Sequence, residues 1–92
     1  MPKISEVINK FQLAPLQQRV LSYLQKHNDE VFSYVDSAEL AKLIEHKGSA
    51  RGIAFSLWAL NTKGLIEKER IGRRVYFGSK SAITYLRKQK KN

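Results

Sequence analysis

Apolar residues recur along this chain mostly at the three- and four-residue spacing of helices, interrupted by runs whose composition suits strands. Residues 4–11, ISEVINKF, set Ile4, Val7, Ile8 and Phe11 on one side of a short helix. Alone in water it is too short to persist, so it needs something to pack on. Pro15 suits the first turn of a second helix, where its missing N–H costs nothing. That helix runs to about His27 with Leu16, Val20, Leu21 and Leu24 on one face, and HNDE, a run of poor helix formers, ends it. Residues 31–35, VFSYV, are β-branched and aromatic and predict one short strand.

SAELAKLIE, from residue 37, predicts a third helix that buries Leu40, Leu43 and Ile44. Asp36 is its favoured cap, because Glu39 three residues on completes a capping box. HKGS breaks it: Gly48 supplies a positive φ at the turn and Ser49 caps the next helix. That fourth helix spans about Ala50 to Lys63 and stops at Gly64. Ile53, Leu57 and Leu60 form its core stripe at i, i+4, i+7, whereas Phe55 and the single tryptophan, Trp58, fall on the far side with Arg51 and Thr62. Three roles compete for this aromatic pair: contact with a ligand, burial against other elements, or a protein contact. Phe55 is assigned outward, and Trp58 lies between core and contact. Residues 65–70 and 74–78 are β-prone runs flanking Ile71-Gly72-Arg73, a hairpin whose glycine supplies the turn conformation. A last helix begins at Ser79 or Ser81, with Ile83, Tyr85 and Leu86 as its apolar contacts, and ends in a basic tail from Arg87 to Lys91.

Charge changes the picture more than composition does. Net charge is +9, and it is unevenly placed. Residues 1–62 hold seven basic and six acidic side chains, residues 63–92 ten basic and two acidic. Such loading of one end points to a polyanionic partner, either nucleic acid or an anionic membrane surface. Ninety-two residues make one domain. A chain this short buries only about 60–65% of its unfolded surface, so its stability is modest or shared with a partner. There is no cysteine for a disulfide or thiolate site, no apolar run long enough for a membrane span, and no apolar signal core at the N-terminus. A cytoplasmic, nucleoid-associated protein is expected. His27 and His46 lack the neighbouring ligands of a metal site, and the five glycines form no phosphate loop. No catalytic residue, cofactor or metal is expected.

The order helix, short strand, helix, tight turn, helix, hairpin resembles a winged helix-turn-helix domain over about residues 15–78. QQRVLSYLQ, SAELAKLI, LWALNTKGLIEKER and GRRVYF carry the resemblance, as do Leu57, Leu60, Gly64, Leu65 and Ile66, which match a family string of spaced leucines before Gly-Leu-Ile. The fold it implies is mainly α with a small β-hairpin wing, an α+β class, with extra N- and C-terminal helices. The resemblance also implies that the 50–63 helix enters the major groove, read there through a base-specific donor and acceptor code. Carried over residue by residue, the DNA-facing positions are Ser49, Ala50, Arg51, Ala54 and Phe55, with Arg51 suited to bond guanine O6 and N7. Lys42 and Lys47 fall where phosphates would pass. In the wing, Lys68 and Arg70 share one strand face and Glu67 and Glu69 the other. Lys68, Arg70 and Arg74 then meet phosphates, and Arg73 at the tip is placed for the minor groove.

A lone winged helix covers one half-site, so a homodimer on a palindromic duplex is expected. Residues 1–13 and 79–92 are the dimerisation elements, through Ile4, Val7, Ile8, Phe11, Ile83, Tyr85 and Leu86. The chain is similar to small archaeal or bacterial PadR- and MarR-like regulators, which implies transcriptional control. It also resembles archaeal PadR-like partition proteins, which bind a centromere, spread from it and work with a second protein. A winged helix used only as a protein-interaction module is the third alternative.

Overall fold

The computed structural model describes residues 13–90. The expected helix over 4–11, with Ile4, Val7, Ile8 and Phe11, lies outside the described residues. The chain runs through α1 (Pro15–Lys26), a 3₁₀ turn (Tyr34–Asp36), α2 (Ser37–Leu43), α3 (Ala50–Thr62), β1 (Glu67–Ile71), β2 (Arg74–Gly78) and α4 (Lys80–Lys90). Among the described residues, four helices and one antiparallel hairpin place it in the α+β class.

The helices meet through the faces their periodicity predicts. Val20 and Leu24 of α1, Leu40 of α2 and Ile53, Leu57 and Leu60 of α3 are all fully buried. They share one cluster with Leu13, Phe32, Ala41, Ile44, Ile66 and Phe77. Helix α3 packs on both α1 and α2, which fixes its rotation about its own axis. Arg19 of α1 adds a polar tie by donating to the Ile44 carbonyl just past α2. At the other end of α1, Tyr23 stacks on His27 with centroids 4.0 Å apart. Burial and then hydrogen bonding to the Glu30 carboxylate push the Tyr23 phenol above its ordinary pKa.

Four expectations give way around the start and the end of α2. The strand expected over 31–35 shrinks to a single bridge, in which Phe32 and Phe77 exchange N–H···O bonds of 2.9 and 2.7 Å. Directly after it the Ser33 amide and hydroxyl both donate to Asp36 Oδ2 at 2.9 Å, which curls the chain into the 3₁₀ turn. Asp36 is thereby spent on Ser33 and makes no side-chain cap on α2, contrary to the capping-box expectation. Leu43, expected in the core, is 46% exposed because α2 ends there and the chain turns away. The left-handed residue of that turn is Glu45 (φ 56°), not Gly48. A Cβ at Gly48 would lie 2.7 Å from His46 Nε2, the outer end of a side chain that could turn aside.

Candidate nucleic-acid interface

Helix α3 starts where the sequence places it, with the Ser49 hydroxyl accepting from the Arg51 amide at 3.0 Å. Ending it, Lys63 is the C-cap and Gly64 takes φ 76°. With the core stripe buried, a helical repeat of 3.6 residues leaves Arg51, Phe55, Trp58 and Thr62 in line on the opposite, exposed side. Phe55 and Trp58 are 60% and 52% exposed, and their ring centroids lie 5.6 Å apart. The structure therefore takes Trp58 out of the core and pairs it with Phe55. Ala50 and Ala54 flank this stripe half-buried, and Ser49 is exposed. Buried Ser56 closes its hydroxyl onto the Gly52 carbonyl at 2.9 Å and adds nothing to the outer face. Arg51 forms no ion pair among the described residues. Lys42 on α2 and Lys47 in the turn are exposed.

The hairpin sorts its charges by face. Its register pairs Ile71 with Arg74, which leaves Gly72 and Arg73 as a two-residue turn. Positive φ falls on Gly72 and not on Arg73, the pattern of a II′ turn whose twist suits the strands. Glu67 and Glu69 point to the side occupied by α4, where Arg87 takes both. Its Nε lies 2.8 Å from Glu69 Oε1 and its Nη1 lies 3.3 Å from Glu67 Oε2. Hydrogen bonding to Glu69 is the first cause that raises the Arg87 pKa and holds the guanidinium charged. A third N–H of Arg87 reaches the Lys68 carbonyl at 3.4 Å. Lys68 and Arg70 occupy the alternate, exposed positions, and Arg70 Nε donates to the Gly72 carbonyl at 3.0 Å. Arg73 and Arg74 are exposed at the tip.

Two features of this surface escape sequence reading. The sequence puts Arg87 in a basic tail, yet it bridges both glutamates of the hairpin from 18 and 20 residues away. No local spacing signals such a pair. The second is a cleft of about 220 Å³ lined by Ser33, Tyr34, Val35, Arg73, Arg74 and Val75. It sets the two tip arginines beside Tyr34 and Val35, which are 45% and 66% exposed. The cleft exists because residues 34–36 form a 3₁₀ turn where the residue types predict a strand.

Of the expected dimer residues, Ile83, Tyr85 and Leu86 lie among the described ones. Tyr85 is 61% exposed and Leu86 half-buried, so both are accessible. Ile83 is fully buried within its own chain and has no surface left for a partner, which corrects its placement in an interface. Among the described residues no helix is long and apolar enough to cross a membrane. The outward face of α3 thus offers the Arg51 guanidinium in line with one aromatic pair, and the hairpin offers guanidinium and ammonium groups of its own. Such groups bind phosphate, and a guanidinium on an exposed helix face can also bond two acceptors on one base edge. No family model, curated protein or solved structure matches the chain.

Proposed function

We propose that the protein binds double-stranded DNA sequence-specifically, as a homodimer of winged helix-turn-helix domains, and acts as a transcriptional regulator rather than as an enzyme. The observation that carries this reading is the two-faced hairpin after α3: Arg87 takes up both glutamates, and Lys68, Arg70, Arg73 and Arg74 face solvent. In this reading α3 enters the major groove with Arg51 leading, Lys42 and Lys47 brace phosphates, and the hairpin holds the backbone alongside.

Selection from a random duplex library, followed by titration of the recovered duplex at rising salt, tests it. One palindromic sequence should be enriched, and log affinity should fall linearly with log salt concentration. Failure to enrich any sequence, or binding indifferent to salt, would sink the reading. Footprinting then separates regulation from partition: protection confined to one palindrome supports regulation, and protection that extends with added protein supports partition.

A further inference from the structure

We propose that Phe55 and Trp58 together read thymine methyl groups, so that the target carries thymines at a fixed spacing from a base pair held by Arg51. The inference rests on the proposed DNA binding and names what that reading leaves open, the use of the aromatic pair.

Three observations lead to it. The pair is an apolar surface kept in solvent, 60% and 52% exposed, on a helix whose packing needs are met by Ile53, Leu57 and Leu60. Exposed aromatics clustered this way mark a contact surface. Next, the sequence of α3, ARGIAFSLWALNT, contains no acidic residue, and its one charged side chain, Arg51, stands four positions before Phe55 in the same line. This charge suits a polyanion and gives a basic protein nothing to pair with. Finally, Ala50 and Ala54 beside the stripe are small, so the α3 backbone can approach a surface closely.

Among base edges in the major groove, the thymine C5 methyl is the one apolar group. Phe55, which offers no hydrogen bond, therefore distinguishes thymine from cytosine by the methyl alone. Helical rise fixes where. Phe55 lies about 6 Å and Trp58 about 10 Å beyond Arg51 along the axis, at about 1.5 Å per residue. Base pairs stack about 3.4 Å apart along the duplex axis, to which the groove is inclined, so with the helix along the groove the thymines fall within about three steps of the Arg51 contact, on one side of it.

Trp58 is the only tryptophan, so intrinsic tryptophan fluorescence reports on this position alone. The probe is a duplex recovered from the random library, synthesised once with thymine and once with deoxyuridine at every thymine. Removing the methyls should lower affinity about fourfold per methyl contacted, about fifteenfold for two, the worth of about one buried carbon each. Thymine duplex should also shield Trp58 from acrylamide quenching. Phe55→Ala, an exposed change that leaves the core intact, should shrink the thymine-to-uracil ratio to that of a single methyl contact, about fourfold, while the salt slope stays the same. Equal affinity for both duplexes with salt-dependent binding retained overturns the inference and leaves the DNA-binding reading standing. Absence of salt-dependent binding to either duplex removes both. Shielding of Trp58 by raised protein concentration without DNA, with matching self-association in sedimentation, also overturns it, since the pair is then a protein contact.

Discussion

Arg51 and Arg73 bear the same guanidinium into different surroundings, one on a helix face and one at a two-residue turn. In the proposed complex the first touches bases and the second a phosphate-lined groove, so their removal should differ in kind. Arg51→Ala should cost about 1–3 kcal/mol on the selected duplex and relax base preference at one position per half-site. Arg73→Ala should weaken selected and random duplexes alike and flatten the salt slope by about one. Titration of both variants on both duplexes checks this, and equal losses everywhere for both would contradict the division of roles. Single-residue periodicity is enough to set Arg51 and Phe55 opposite Ile53, Leu57 and Leu60, whereas Trp58, read between core and contact, is set outward only by the structure. Periodicity is not enough for Leu43, whose exposure depends on where α2 ends, or for Asp36, whose carboxylate has two competing donors within reach. Arg87 is beyond it altogether, because its partners are distant in sequence.

At the level of elements, boundaries set by local chemistry are legible and those set by competition are not. Ser49 and Gly64 delimit α3 through a side-chain cap and a left-handed residue, both readable from residue type. Gly72 likewise marks the hairpin turn. The strand over 31–35 fails because Ser33 and Asp36 offer the backbone a closer alternative than a sheet edge. Gly64 yields a clean test of what one such boundary is worth. A Cβ there would meet nothing within 4 Å, so Gly64→Ala adds backbone strain at φ 76° and no clash. It should cost about 1 kcal/mol and lower the melting temperature by about 4–8 °C in thermal unfolding, with DNA affinity unchanged at a temperature where both proteins are folded.

Taken whole, the molecule concentrates its excess charge in its last third, and α4 both carries part of that charge and organises the hairpin through Arg87. The α+β architecture is legible because helical faces and a hairpin must bury against one another, a constraint the apolar pattern already states. Assembly is less so, since an apolar contact within a chain and one between chains look alike in sequence. Ile83 goes inward and Tyr85 stays out. If α4 contributes to a dimer it does so through Tyr85 and Leu86, and Tyr85→Asp should then sediment near the 10.6 kDa of one chain while the native protein sediments at twice that mass. Identical sedimentation of the two proteins would remove α4 from the interface. The hairpin register has one more consequence, for how such a protein diverges. Along β1, residues that keep the hairpin docked and residues that face outward alternate one by one, so the outer row does not constrain the inner. Lys68 can be exchanged for other strand-compatible residues at a cost within about 0.5 kcal/mol, the usual range for surface positions. Descendants of this chain can therefore change the charge of the hairpin's outer face at Lys68 without passing through an unstable ancestor.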